Sequence, residues 1–295
     1  MSLAEVAKNP AGTGQKLKLQ HLGMVYGQDA ESVPVLEDIN LDVSDGEFVC
    51  IVGPSGCGKS TLLNVMAGFL PATAGTVTID GEVVTGPDPR RILVFQERGV
   101  FPWLTVEGNI GFGLSKLTRE ERRQRIAHYV QAVRLQGFEH VYPSDLSGGM
   151  KQRLQVARAL AVNPDILYLD EPFGALDFVT RVIMRGELHR IWQTERRTIL
   201  FVTHDIDEAV QLADRVVVLS SRPARIQDIL TIDIPHPRNI SSPRYLQLRD
   251  DFFFWRNPVA GRDSSGPSSQ QQPCWRYGIS PFSGRPPRSF RRRLA

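Results

Sequence analysis

The chain has 295 residues, of which 41% are hydrophobic, and its 35 Lys and Arg against 32 Asp and Glu give a formal net charge of +3. This length and apolar content can build a sizeable core, which excludes a wholly disordered protein, and three cysteines exclude a disulfide framework and indicate a reducing compartment. No apolar run approaches the roughly 18 residues of a membrane-spanning helix, and the N-terminus has no signal-peptide pattern. We therefore expect a cytosolic protein that meets membranes only through partners.

The first elements in chain order are two strands with one face in water. Residues 1–15 show no periodicity and are expected to form a loose terminus. Apolar side chains then alternate over 17–22 and again over 35–43, where Asp42 lies between them. Alternation of this kind predicts antiparallel strands that are buried on one side.

Residues 48–52 are apolar at every position, as in a strand buried on both faces of a parallel sheet, and three later runs are similar. Helical patterns separate these runs, so we predict an α/β protein with a parallel-sheet core. The segment of about 97–160 has a mostly helical pattern and is a candidate helical subdomain inserted into that core. The four runs are Phe48–Val52, Ile166–Leu169, Thr198–Val202 and Val216–Leu219.

Three polar residues mark the starts of helices. Thr118 and Glu121 form a capping-box pattern ahead of apolar residues at helical spacing. Ser147 and Asp177 each precede a further segment with apolar residues on one face, and both are predicted N-caps.

Residues 53–61 carry the phosphate-binding pattern GxxxxGK[ST] between a buried strand and a helix. The glycines allow a turn that aims N–H groups at phosphate oxygens, and the helix adds its positive dipole end. Lys59 can bridge the β- and γ-phosphates, and the Ser60 hydroxyl can bind Mg²⁺. The alternatives are a glycine-rich turn that binds nothing and, for Cys57, a redox role. The predicted ATP-binding residues here are Gly53, Pro54, Ser55, Gly56, Cys57, Gly58, Lys59, Ser60 and Thr61.

The apolar run at 166–169 ends in two carboxylates, Asp170 and Glu171. Asp170 at the strand end can hold Mg²⁺, whereas Glu171 should face an attacking water that it can orient and deprotonate. A polar strand terminus is the simpler alternative, but a phosphate loop on the same fold disfavours it. The pair therefore predicts hydrolysis of the bound nucleotide.

Residues 146–153 (LSGGMKQR) form a second candidate anion site, in which the hydroxyl of Ser147 and the backbone of Gly148 and Gly149 open a helix. With this motif the chain resembles the ATP-binding subunits of ABC transporters. In that family the signature of one subunit closes over the γ-phosphate held by the phosphate loop of another. Met150 departs from the glutamine that the family often has, at a position less critical than the serine and glycines.

The resemblance covers about residues 16–250 and implies a P-loop NTPase fold with an antiparallel β subdomain, a RecA-like parallel-sheet core and a helical subdomain. It assigns adenine stacking to Tyr26, the D-loop to Asp177 and a γ-phosphate contact to His204, and it assigns Gln96 to Mg²⁺ and the attacking water. Singly, each could be a packed aromatic, a loop residue or a helix cap; their joint order supports the family. The implied Mg²⁺ ligands are Ser60, Gln96 and Asp170. The implied catalytic residues are Lys59, Glu171 and His204.

Two further stretches, 101–106 (FPWLTV) and 205–209 (DIDEA), resemble importers of the nitrate, sulfonate and taurine type. In the family the aromatic stretch lies near the groove that receives the membrane subunit, so Phe101 and Trp103 are candidate docking residues; alternatively, they pack the core of the helical subdomain. The implied assembly is a head-to-tail dimer that binds two ATP and two permease subunits, and indirectly a solute-binding protein. It would lie at the cytoplasmic face of the inner membrane.

Two rival functions share the phosphate loop. One is an ABC-type ATPase that serves another transporter class or acts on nucleic acid, but such nucleic-acid factors carry two cassettes or a long coiled coil. This chain has one phosphate loop and no heptad run, so no nucleic-acid partner is expected. The other is a regulatory subunit that holds ATP without hydrolysing it, which the presence of Glu171 and His204 argues against.

The family pattern stops near residue 250, and 251–295 is predicted to be an atypical, disordered tail rich in Arg, Pro and Ser. Residues 256–295 hold eight arginines and one acid, whereas the rest of the chain has an excess of acids. Three interpretations stay open: a tail without a role, a basic segment on anionic lipid, and a sequence appended by a shifted reading frame. Nucleic-acid binding is weaker, because 291–293 and two aromatics form no recognisable module.

Overall fold

The computed structural model describes residues 14–27, 32–95 and 99–256, which form two sheets and seven α-helices. The strands are β1 (Gln15–Tyr26), β2 (Val33–Ser44), β3 (Phe48–Val52), β4 (Ala74–Ile79), β5 (Glu82–Val83), β6 (Arg91–Val94), β7 (Ile166–Asp170), β8 (Thr198–Val202), β9 (Arg215–Leu219) and β10 (Ile226–Thr231). The helices are α1 (Lys59–Ala67), α2 (Val106–Gly111), α3 (Arg119–Ala132), α4 (Gly148–Ala161), α5 (Phe178–Glu195), α6 (Ile206–Leu212) and α7 (Pro243–Arg256).

The six-stranded sheet has the order β10-β9-β3-β8-β7-β6 and places the ends of its central strands side by side. Strands β9 to β6 are parallel, and only the edge strand β10 runs antiparallel to its neighbour. Every residue of β3, β7 and β8 is buried, which confirms the predicted parallel core. Val202 pairs with Ile51 on one side and with Asp170 on the other, so these three residues lie at one level near the carboxyl edge.

The four-stranded sheet is antiparallel, with the order β2-β1-β4-β5, and packs against α1 and one face of the six-stranded sheet. Its first two strands alternate as predicted, with Leu17, Leu19 and Leu22 buried and Asp42 exposed. The pattern of β4 and β5 was too weak to predict strands, because only Val77 among their residues is buried. One apolar cluster therefore joins the antiparallel sheet, α1 and the parallel core.

Helices α2, α3 and α4 follow β6 and precede β7 in the sequence, and they pack against one another. The predicted caps form: Thr118 and Glu121 make a reciprocal capping box, and Ser147 and Asp177 each accept a backbone N–H at the start of a helix. The core between helices α2, α3 and α4 is apolar and includes the side chains of Val106, Ile110, Val130, Val133 and Leu154.

The last helix, α7, runs to Arg256 and so passes the predicted boundary at residue 250. It is held because Tyr245, Leu248 and Phe252 are buried and because the Tyr245 hydroxyl donates to Asp207 Oδ1 of α6 at 2.9 Å. The rest of the predicted tail, 257–295, lies outside the described residues, as do residues 1–13. Across the described ranges, no helix combines the length and the hydropathy needed to cross a bilayer.

The rings of His189 and His236 are tilted against each other, and both contact the ring of Trp192. The ring centroids of His189 and His236 are 4.0 Å apart, and neither Nε2 atom has a hydrogen-bond partner within the described residues. Burial, with the positive charge of Arg238, lowers the pKa of both imidazoles and brings that of His236 to about 3. Both rings are therefore neutral in the folded protein near pH 7.

Replacing His236 with Phe is expected to make the protein more tolerant of mild acid. The unfolded chain takes up a proton on this histidine near pH 6.5, whereas the folded chain does so near pH 3, so stability is lost as the pH falls below 6.5. Between pH 7.5 and 5.5 the free energy of unfolding should fall by about 1 kcal/mol more in the wild type than in His236→Phe. Urea titrations at both pH values measure this difference, and equal losses in the two proteins would contradict it.

Candidate active site

The loop between β3 and α1 has the backbone geometry of an anion cradle. Gly56 and Gly58 have φ values of 72° and 118°, in the left-handed region that favours glycine. A Cβ atom at Gly58 would lie 2.7 Å from Val35 Cγ1, so the loop also needs glycine for its close approach to β2. No side chain caps the start of α1, which leaves its first N–H groups available to an anion.

Lys59 lies across this cradle. Its side chain is buried, and Nζ donates to Gly53 O at 3.0 Å and to Pro54 O at 2.8 Å. An ammonium group has three donors, so one remains for a ligand while two hold the loop. The arrangement brings a fixed positive charge to the mouth of the loop.

Asp170, at the carboxyl end of β7, has the properties of a metal ligand. It is buried, its carboxylate is hydrogen-bonded by the Ser60 side chain, and Oδ1 has no partner within the described residues. Burial raises the pKa of Asp170, and the neighbouring Glu171 adds to the effect. A hard dication bound between the carboxylate and the hydroxyl would satisfy the bare oxygen, so these residues fit Mg²⁺.

Glu171 adopts a left-handed backbone conformation, with φ 45°, which is costly for a residue other than glycine. Its N–H donates to Val202 O at 3.0 Å, and its carbonyl accepts from Gln152 Nε2 at 3.2 Å. The turn separates its side chain from that of Asp170 and places Oε2 3.1 Å from His204 Nδ1. The carboxylate and the imidazole, from the ends of β7 and β8, thus form a pair that can hold a water and accept its proton.

Two glutamines on α4, to which the sequence analysis gave no role, connect this helix with the catalytic loops. Gln152 binds Glu171 O and also accepts from Ala175 N–H at 3.1 Å, and Gln155 Nε2 donates to Phe95 O at 2.9 Å. Both side chains are buried. The available signal was their position on the otherwise apolar face of α4, where a polar residue needs a partner.

Tyr26 reaches the phosphate loop from the end of β1. Its hydroxyl lies 3.4 Å from Thr61 Oγ1, and 40% of the residue is exposed. An aromatic face is therefore available beside the loop, and adenine stacking on it stays a prediction. Gln96 lies outside the described residues, so its predicted contacts stay a prediction too.

The signature residues do not join this site within one chain. Ser147 Oγ accepts from Met150 N–H at 3.3 Å, while the N–H groups of Gly148 and Gly149 have no hydrogen-bond partner in the described residues. Ser147 and Gly148 are exposed. The start of α4 is thus a second anion-binding helix end that the described chain leaves open.

Asp177 behaves in the same way. It caps α5 by accepting from Thr180 N–H at 3.0 Å, and it makes no hydrogen bond to residues 53–61 among those described. One chain therefore brings together the phosphate loop, Tyr26, Asp170, Glu171 and His204, but not the signature or the D-loop.

Comparisons with known proteins find a family match and close relatives. The family model described as ABC transporter matches residues 36–174. An ATP-binding protein of Brucella abortus is 47% identical over 240 residues, which cover 80% of this chain and 91% of that protein. The aliphatic sulfonates import ATP-binding protein SsuB of Bacillus cereus is 45% identical over 224 residues, which cover 76% of this chain and 89% of the relative.

A solved structure has the same fold. The dimeric ATP-binding cassette MJ0796, in a post-hydrolysis state bound to ADP and Pi, is 32% identical with a TM-score of 0.67, over 73% of this chain and 98% of the other. The ADP and Pi bound to that cassette are the products of ATP hydrolysis. The phosphate loop and the Glu171–His204 pair of this chain are suited to the same reaction. The chain belongs to the ABC transporter family, as an ATP-binding and ATP-hydrolysing subunit.

Proposed function

We propose that this chain energises an importer for sulfonates, nitrate, taurine or a similar small solute. The observation that supports this proposal most directly is the 45% identity to a sulfonate import subunit over 89% of that relative's length. A Methanocaldococcus jannaschii ABC transporter ATP-binding protein is similarly close, at 47%, without a cargo in its name. A subunit of another transporter class is therefore the second candidate.

In the proposed mechanism, residues 53–61 hold the triphosphate, with the Lys59 ammonium on its terminal phosphates. Ser60, Asp170 and Gln96 would hold Mg²⁺, which neutralises charge between the phosphates when bound. Glu171 orients a water and accepts its proton as the water oxygen bonds to the γ-phosphorus and the bond to ADP breaks. His204, 3.1 Å from Glu171, keeps the carboxylate aimed and meets the γ-phosphate.

The site is completed by a second copy of the chain. The unpartnered amides of Gly148 and Gly149 and the exposed Ser147 are suited to the γ-phosphate bound to another phosphate loop. The dimeric cassettes of the same fold support a head-to-tail arrangement. Asp177 follows Ala175 by two residues, and the Ala175 N–H donates to Gln152 of α4, the helix that the signature opens. Asp177 would therefore lie at the same interface.

The membrane subunits would dock on an aromatic cluster of the helical segment. Phe101 lies 4.5 Å from Phe112 and 5.3 Å from Trp103 between ring centroids, and the Arg158 guanidinium lies over the Phe101 ring. Trp103 and Phe112 are 68% and 59% exposed, which disfavours the alternative that Trp103 packs the subdomain core. A groove of about 750 Å³, lined by Glu107, Glu139 and arginines of α3, lies in the same segment.

A reconstituted transporter tests this proposal. With its membrane subunits and their solute-binding protein, an aliphatic sulfonate, nitrate or taurine should stimulate ATP hydrolysis in liposomes. Trp103→Ser combined with Phe112→Ser should lower the stimulated rate by about tenfold, because hot-spot aromatics are lost, while the nucleotide affinity stays the same.

Val83→Ser is the matched control, since Val83 is as exposed as Phe112 but lies on the antiparallel sheet. A complex that none of the three solutes stimulates would overturn the cargo class. An unchanged stimulated rate in the double variant would overturn the docking site.

A further inference from the structure

Arg222, in the loop between β9 and β10, contacts the phosphate loop from outside. Its Nη2 donates to Gly56 O at 2.7 Å, across 166 residues of sequence. Within the phosphate loop, Lys59 donates to Pro54 O. Among the described residues outside the loop, only Arg222 has a side chain that donates to the backbone of residues 54–57. Residues 54–56 are exposed, and a Cβ atom at Gly56 would meet nothing within 4 Å, so this turn has little other packing.

The backbone around Arg222 is anchored to the strand that touches the phosphate loop. Ala224 N–H donates to Val35 O at 2.8 Å, and Ala224 O accepts from Glu37 N–H at 2.9 Å. Val35 in turn lies against Gly58 of the phosphate loop. Arg222 therefore extends from a fixed base.

The sheet order explains why this arginine reaches the nucleotide site. Strand β9 is the parallel neighbour of β3, with Val218 paired to Val52, so the turns that follow both strands lie at the same edge. Burial raises the pKa of Cys57, and the positive charges of Lys59 and, more weakly, Arg222 act in the opposite direction, so the Arg222 guanidinium lies close to the loop. Apart from the bond to Gly56, Arg222 has no hydrogen bond with any described residue, so most of its five donors remain available.

We propose that Arg222 is a positioning residue for phosphate binding, which holds the exposed turn of the phosphate loop in its binding shape and adds positive charge beside it. The proposal rests on the assignment of residues 53–61 to the phosphates. A glycine-containing exposed turn loses conformational freedom when it orders around a ligand. A charged hydrogen bond that orders the turn beforehand reduces this cost and so raises the affinity.

The test compares affinities for ligands with and without phosphate. Titrations of the full-length protein with Mg²⁺ and AMP-PNP, with ADP and with adenosine require no hydrolysis. Arg222→Met should weaken AMP-PNP and ADP by about tenfold, the size expected for one charge-assisted hydrogen bond. Adenosine should stay within about twofold, because it does not contact the loop. Arg222→Lys keeps the charge and a donor and should lie between the wild type and Arg222→Met.

Arg225→Met is the matched control, since it lies in the same loop but pairs with Glu37. It should keep the affinity for AMP-PNP, and a loss equal to that of Arg222→Met would show a general loop defect and overturn the proposal. Unchanged AMP-PNP affinity in folded Arg222→Met would overturn it as well; if that variant fails to fold, unchanged affinity in Arg222→Gln would do so. A wild type that binds adenosine as tightly as AMP-PNP would instead overturn the phosphate-loop assignment itself.

Discussion

Replacing Glu171 with Gln is expected to reduce ATP hydrolysis by about 10³-fold while ATP still binds. The amide has the size of the carboxylate and can keep a hydrogen bond to His204 Nδ1, which lies 3.1 Å from Glu171 Oε2. It cannot accept the proton of the attacking water, so the chemical step loses its base. The phosphate loop and Asp170 are unchanged, so nucleotide affinity should stay within about twofold.

The same variant should accumulate closed dimers with ATP, because binding draws two copies together and hydrolysis no longer releases them. Phosphate release gives the rate, and size-exclusion chromatography with and without ATP gives the dimer fraction. Glu187→Gln is the matched control, since Glu187 is a carboxylate on α5 that pairs with Arg190 on the surface. Normal turnover in Glu171→Gln would remove this carboxylate from the mechanism.

Replacing Lys59 with Ala is expected to weaken nucleotide binding itself, by about 100-fold. The ammonium would bind the terminal phosphates through charge-assisted hydrogen bonds, each of which contributes about 1.5–3 kcal/mol. Its Nζ also holds the carbonyls of Gly53 and Pro54, so the truncated side chain leaves the loop less ordered as well. Titration with Mg²⁺ and AMP-PNP measures the loss.

Lys16→Ala provides the comparison for this variant, because Lys16 pairs with Asp80 on the antiparallel sheet. It should bind nucleotide like the wild type. Affinity in Lys59→Ala that matched the wild type would contradict the assignment of the phosphate loop. Together, the lysine and glutamate variants separate binding from hydrolysis, because one removes a phosphate contact and the other a proton acceptor.

The sequence predicted most strongly those elements whose burial is complete or whose polar starts are chemically specific. Strand β3 was found at its observed bounds because all five residues are apolar and buried. Strands β4 and β5 were not predicted, because a strand with few buried residues has no clear hydrophobic pattern. The extension of α7 to Arg256 depends on Phe252 meeting the core, which local periodicity does not reveal.

The sequence by itself determined the fully buried strands, the helix caps and the glycine turn of residues 53–61, because hydrophobic period, capping and glycine turns are local properties of neighbouring residues. Tertiary structure alone decided which distant residues meet. The pairing of Glu171 with His204 and the contact of Gln152 with the Glu171 carbonyl require β7, β8 and α4 to come together. The bond from Arg222 to Gly56 requires β9 to lie beside β3, and the order of strands in a sheet is set by packing of the whole chain and not by the spacing of residues along it.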